Sequence, residues 1–281
     1  MDAKKSQKIA FGVLLATTLA VVLPVLFIIM IIIKEGITAI NWRFLTTMPS
    51  NGMRSGGIFP AIVGTIYLVL LSVAIALPVG VMAAIYLNEY AKDNILTRII
   101  KLSIVNLAGV PSVVYGLFGL GLFVIFLKFG VCLLSGALTL AIMELPVIIT
   151  TSKEALSTVP LSFREVSLSL GVSRWQTIRY AVLPHALPGI MTGTILSISR
   201  IAGETAPILF TAAAFYLPRL PGSLFDQIMV LPYHLFIIST QIPNMPSKST
   251  YGTALVLLIL VLMMNFTAIV VRTYFRMNKK W

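Results

Sequence analysis

Charge is scarce in this sequence. Only 11% of its 281 residues are Asp, Glu, Lys or Arg, and only nine residues are acidic. Soluble domains carry about 25% charged residues, so a fully hydrated surface is excluded. Cysteine is almost absent. Cys132, the single one, excludes an intrachain disulfide framework and a Cys-based metal site. It reads as small apolar filler in or near a membrane segment. His185 and His234 lie far apart without metal-ligand spacing, so no metal centre is expected. His185 flanks Pro184 at a membrane edge and is expected to meet water or headgroups. No G-x-x-x-x-G-K-[ST] occurs, so the chain has no P-loop for ATP. No nucleophile elbow or metalloprotease motif occurs either. Catalytic residues, and hence an enzyme, are not expected.

Apolar residues make up 58% of the chain, and mean hydropathy is +0.98. That composition belongs to an all-α polytopic membrane protein. The formal charge of +12 raises the question of nucleic acid. Its Lys and Arg gather in short segments beside apolar runs, with no basic helix face and no interleaved aromatics. This is a topology signal and not a nucleic-acid footprint.

Six spans are predicted: Ile9–Ile33, Ile58–Asn88, Leu102–Leu127, Phe129–Ser152, Ala186–Pro218 and Ser249–Val271. No small-residue cleavage site follows Ile33, so the first run is read as a retained span. Pro78 is expected to kink the second span. The third holds Gly109, Pro111, Gly116, Gly119 and Gly121, and its small residues place it inside the bundle. Lys34–Gly57 and Glu89–Lys101 read as loops. Ile228–Ile242 is short and interrupted by Pro232, which suggests an interfacial or re-entrant segment. Six spans put both termini on one side. Fourteen of the 21 Lys and Arg then fall on that side, six on the other, and Arg200 stays in the membrane. The positive-inside rule makes the richer side cytoplasmic.

Two polar features stand out. Lys153–Pro184 is a long polar stretch between two spans. Ser162 with Glu165, and Ser173 with Gln176, have capping-box spacing. Gly171 sits where a left-handed cap is needed, and Pro184 is expected to close the second helix. Phe163, Val166 and Leu170 share one helical face. So short a helix pair cannot bury that face alone and requires a partner. The second feature is buried charge. Arg200 lies about 21 Å into the fifth span at ~1.5 Å per residue. Glu204 follows at i+4 on the same predicted face, and Glu144 lies mid-span in the fourth helix. A structural ion pair locking two helices and a polar element on a substrate path are both open readings.

Glu165, Gly171, Leu183 and Pro184 match the E-A-A-x3-G-x9-I-x-L-P spacing of bacterial ABC importer permeases. Val166 and Ser167 stand at the two alanines, and Ala181 at the isoleucine. Ser199–Pro207, S-R-I-A-G-E-T-A-P, resembles the R-x-x-G-E-T-A-P signature of phosphate permeases of the PstA type. Met191–Thr194 and Gly56–Thr65 extend that resemblance over nearly the whole chain, and the Gly109–Gly116 run G-V-P-S-V-V-Y-G agrees with it.

The resemblance implies a type I ABC importer permease fold with cytoplasmic termini in a bacterial inner membrane. It implies residues 1–57 as a first helix with outer loop, and 58–281 as a permease core of five transmembrane helices with a coupling loop at 153–184. It implies a substrate path through Arg200, Glu204, Thr205 and Glu144, and ATPase coupling through Glu165, Gly171, Leu183 and Pro184. The implied partners are a homologous permease subunit, an ATPase subunit dimer, an extracellular phosphate-binding protein and the lipid bilayer. ATP and Mg are expected in the ATPase, and no cofactor in this chain. Many members carry an arginine near the end of the fourth span where this chain has Thr150; Lys153 and the partner permease are the two candidate sources of that charge. An ion-driven secondary transporter, a permease for another oxyanion and a non-transporting scaffold are the alternatives.

Overall fold

The structure is a computed structural model and describes residues 3–277. Helix α1, Ala3–Gly36, runs long and apolar with none of its spanning window buried by protein. It packs along α12 (Ser247–Met277). Phe11, Val21 and Phe27 stand more than half exposed. A face like this is tolerated where lipid is the solvent. At Gly36 a side chain would meet the Tyr251 carbonyl, so the two helices cross at a glycine.

Lys34–Gly57 is ordered and not an irregular loop. Asn41 caps helix α2, Trp42–Thr46, by accepting from the Phe44 N–H at 2.8 Å. A small antiparallel hairpin follows, with β1 (Pro49–Ser50) paired to β2 (Ser55–Gly56). Its tight turn takes positive φ at Asn51, Gly52 and Met53.

The centre is three packed helices. Helix α3, Phe59–Ile85, carries Pro78 within it and continues as a π-helical turn at Tyr86–Tyr90. Helix α6, Leu133–Ser157, and helix α9, Leu183–Gly203, lie against it. Glycines set the spacing. A Cβ on Gly80 would meet Ile148, one on Gly189 would meet Ala155, and one on Gly193 would meet Thr151. This is the small-residue packing that membrane helices use in place of a hydrophobic driving force. Cys132 is not mere filler. It is the buried N-cap of α6, and its Sγ accepts from the Ser135 N–H. Helix α6 also reaches further than expected, so Lys153 and Glu154 are helical.

The third predicted span is broken. Helix α4, Ile95–Ala108, and helix α5, Ser112–Gly119, meet at a 103° bend, and α5 continues as a π-helical run to Phe126. Pro111 bars helical geometry at Val110, and Gly109 ends α4. The Tyr115 hydroxyl donates to the Leu107 carbonyl at 2.8 Å and pins the corner. Arg98 and Lys101, expected in a loop, lie on α4. The expectation of an interior position holds for α5, where Gly116 abuts Pro207 and Gly119 abuts Thr139.

The fifth predicted span also ends early. Helix α9 stops at Gly203, and the short helix α10 follows at Ala206–Thr211. Helix α11, Leu231–Thr240, has ten residues, about 15 Å at ~1.5 Å per residue. It is too short to cross a bilayer, and it packs on α3 and α12 with His234 only 3% exposed. Leu231, Pro232, Tyr233 and His234 are thus covered by protein, while Phe236, Ser239 and Thr240 stand exposed. Among the described residues, five helices are long and apolar enough to span, and the bent pair makes six if counted as one span. Of the basic tail, Lys279 and Lys280 lie outside the described residues.

Gly64 tests the packing most sharply, because a Cβ there would fall 2.0 Å from the Met229 carbonyl oxygen. Gly64→Ala is expected to cost about 1–3 kcal/mol through overpacking. Gly12→Ala, with nothing within 4 Å, should be neutral. Thermal unfolding in detergent followed by size-exclusion chromatography checks both.

Candidate functional site

Arg200 sits in the last turn of α9 with its side chain 38% exposed. Its Nε lies 3.3 Å from Oε1 of Glu144, which projects from α6 and is fully buried. It also lies 3.6 Å from Oε1 of Glu204. The structure thus brings together the three charged groups named from sequence. It corrects how Glu204 arrives there. Glu204 is not on the α9 face, because the helix has ended and Glu204 is extended at φ −70°, ψ 136°. Pro207 explains the break. It has no N–H to give the Gly203 carbonyl, and its ring would clash there. Thr205 joins the break to α10, and its carbonyl accepts from the Leu209 N–H at 3.1 Å.

The buried Glu144 carboxylate is ion-paired with Arg200, and the Ser197 hydroxyl lies beside it. Ser197, one turn before Arg200, is itself fully buried. A buried carboxylate costs stability unless it is paired, as Glu144 is with Arg200. Glu144 anchors the guanidinium from the protein side while its remaining surface stays open. Such a planar fork suits oxyanions.

Sequence reasoning missed the groove that leads away from this cluster. It is about 540 Å³, lies between α6 and α9, and is lined by Thr151, Glu154, Thr158, Thr192, Gly193 and Ser199 among others. It begins one residue from Arg200 and runs toward the far end of α6. Thr192 and Gly193 belong to the M-T-G-T run, which was the available signal. Ser199 Oγ donates to Asn265 Oδ1 at 2.6 Å, and Arg272 donates to Thr192 at 3.1 Å, so α12 borders the groove. Thr150 turns its hydroxyl back onto the Pro146 carbonyl. Lys153 forms no ion pair among the described residues.

The groove's far end is the polar stretch. Helix α7 is Leu161–Ser169, and helix α8 is Arg174–Thr177. The Ser173–Gln176 capping box forms as expected. The Ser162–Glu165 box does not, since α7 begins directly after Pro160 and Ser162 is already helical. Gly171 adopts φ +78°, and its N–H donates to Leu168 at 3.0 Å. Pro184 closes nothing. A π-helical turn at Ile178–Val182 carries α8 into α9, with the Leu183 N–H reaching the Ile178 carbonyl. That wider turn absorbs the proline, which falls in the first turn of α9. Glu165 and Gly171 therefore sit exposed on the loop, while Leu183 and Pro184 begin the helix that carries Arg200. Val166 and Leu170 are 63% and 78% exposed and, with Phe163 and Ala181, line an open apolar groove of about 420 Å³. His185 is half-buried against the Phe163 ring at 4.8 Å and contacts the Ala181 carbonyl, so protein and not only headgroups surrounds it.

The family of binding-protein-dependent transport system inner membrane components matches residues 76–279. The chain belongs to this family. It is 35% identical to the probable ABC transporter permease protein YqgI of Bacillus subtilis, over 95% of each chain. It is 33% identical to the phosphate transport system permease protein PstA 1 of Mycobacterium tuberculosis, covering 89% of this chain and 82% of that one. It is also 33% identical to the probable phosphate transport system permease protein PstA of Methanocaldococcus jannaschii, over 91% and 90%. Its fold is similar to that in a bacterial alginate ABC transporter structure, at TM-score 0.67, 16% identity and 94% and 95% coverage. It is also similar to that in an inward-facing MetNI methionine ABC transporter structure, at TM-score 0.61, 15% identity and 76% and 94% coverage. The type I ABC importer permease fold expected from sequence is the fold observed, with its third span bent.

The two ion pairs of this membrane permease should differ in weight. Glu144→Ala strips a buried partner from Arg200 and is expected to cost about 3–5 kcal/mol. Glu204→Ala, nearer solvent, should cost under about 1 kcal/mol. Melting temperatures of the two purified variants check this order.

Proposed function

We propose that this chain is the permease subunit of an ATP-driven inorganic phosphate importer. The carrying observation is Arg200, half-exposed about 26 Å along α9 from Leu183 at ~1.5 Å per residue and flanked by Glu144 and Glu204. The arginine supplies the attraction for an oxyanion. The carboxylates supply selectivity. Hydrogen phosphate has a P–OH that can donate to Glu204, whereas fully ionised sulfate has none. The phosphate permeases among the chain's relatives support the same substrate.

In this reading the chain is multi-pass in a bacterial inner membrane with cytoplasmic termini, following the basic-residue bias. Glu165, Gly171 and the exposed Val166–Leu170 face dock on an ATPase subunit, which binds ATP and Mg. A sister permease completes the translocation path, and an extracellular binding protein delivers phosphate. ATPase closure moves the loop, and α9, which begins at Leu183 and Pro184, carries the motion to Arg200. The path is thereby exposed alternately to each side as rigid bodies rearrange.

Membranes containing the chain and its partners are expected to accumulate radiolabelled phosphate with ATP and to resist a proton uncoupler. Collapse of uptake by the uncoupler would instead indicate an ion-driven carrier. Glu204→Gln should leave assembly intact and reduce phosphate uptake or its preference over sulfate by about tenfold, equivalent to ~1.4 kcal/mol. Unchanged uptake and selectivity would overturn the role given to Glu204.

A further inference from the structure

The coupling loop is fastened to an element that lies outside its own stretch of sequence. Arg164, on α7, spends its whole guanidinium on two tasks. Nε approaches Glu89 Oε2 at 3.1 Å and Oε1 at 3.3 Å, while Nη2 donates to Oε1 at 2.7 Å. Nη1 donates to the Val159 carbonyl at 2.8 Å, and Nη2 also reaches the Leu156 carbonyl at 3.0 Å, both at the end of α6. Side-chain exposure is only 15% for Arg164 and 7% for Glu89. A forked, shielded pair holds geometry in a way an exposed one does not.

Glu89 belongs to the π-helical turn that ends α3, and Asn88 donates to it at 2.8 Å. The second limb of the loop grips the same turn, with the Arg174 guanidinium 5.5 Å from the Tyr90 ring centre. Beneath both contacts lies one apolar core that includes Ile85 and Leu87 of the α3 end, Leu156 of α6 and Ile178 of the loop.

The opposite end of α3 is held as firmly. Thr65 Oγ1 accepts from the Leu231 N–H at 2.8 Å, and Gly64 admits the Met229 carbonyl. These contacts seat the start of α11. From Thr65 to Glu89 is about 36 Å of helix at ~1.5 Å per residue.

We infer that Arg164 and Glu89 are positioning residues for energy coupling: they lock the coupling loop onto α3, so that α3 carries the loop's displacement to α11 at the other end of the molecule. The inference rests on the reading of the loop as the ATPase dock, although the lock itself does not. Helix α9 then moves the arginine site, and α3 moves the opposite mouth of the path, both from one input.

Two measurements test it. The first needs no partner. Hydrogen exchange of the full chain in nanodiscs is compared for Glu89→Gln, Arg164→Gln and the double variant. Each single change should speed exchange across Leu161–Ser169 by about tenfold, and the double change should add little, since both remove one interaction. Unchanged exchange, or effects that add, would overturn the lock. The second measurement uses the complex with its ATPase. Glu89→Gln and the milder Tyr90→Leu should keep the ATPase bound and its turnover within about twofold, while ATP consumed per phosphate imported rises severalfold. Nucleotide-dependent protection of Leu231–Thr240 should fall with it. An unchanged ratio and unchanged protection, or release of the ATPase, would overturn the transmission role. A wild-type complex that imports no phosphate would count against the proposed substrate, and the protection of α11 would still decide the role of α3.

Discussion

An arginine at membrane depth must be paired, wetted or both, and Arg200 is paired twice while its side chain stays 38% exposed. Glu144 faces it from a fully buried position on α6, Glu204 from the break that ends α9. The rest of the centre follows from keeping that guanidinium in place. Helices α6 and α9 must lie close, which Gly189 and Gly193 permit against Ala155 and Thr151. Helix α9 must stop at Gly203 so that extended backbone can bring Glu204 back, and Pro207 enforces the stop. Removing a charge from hydrocarbon would be the simpler solution for stability alone. The open side of the guanidinium, with a groove beginning beside it at Ser199, is what the proposed oxyanion role rests on.

The second constraint is the unpaired apolar face of the coupling loop. Val166 and Leu170 stay exposed because nothing among the described residues covers them. The loop behind them is nevertheless tied to the helix core by specific contacts. Gly171 makes the turn, the Ser173 capping box starts α8, and the Arg164–Glu89 lock joins the loop to α3. An exposed face on a rigid base is suited to transmitting a push, and a flexible one would absorb it. Helix α8 flows into α9 through a π-helical turn without an intervening loop, a continuity that the proposed coupling would require.

Much of this was legible from residue order. Apolar runs located the spans, since run length against bilayer thickness is a strong constraint. The left-handed Gly171, the second capping box and the Arg200–Glu144–Glu204 cluster were legible too, because each depends on residue type at fixed spacing. What was not legible is direction. Hydropathy does not see a bend, so Leu102–Leu127 read as straight despite Gly109 and Pro111. Periodicity assumes that a helix continues, so Glu204 was placed on a face that Pro207 abolishes. Pro184 read as a terminator because a π-helical turn has no simple signature. The groove and the Arg164–Glu89 lock join residues distant in sequence, and only packing reveals them.

The account stands on contact between the transported anion and Arg200. Solid-state NMR of the assembled complex in lipid, with phosphate and arginine nitrogen-15, measures this directly through phosphorus–nitrogen dipolar coupling. The account predicts coupling to one guanidinium at contact distance, lost in Arg200→Lys while other arginine signals persist. Phosphate transported by the complex without any coupling that depends on Arg200 would contradict it.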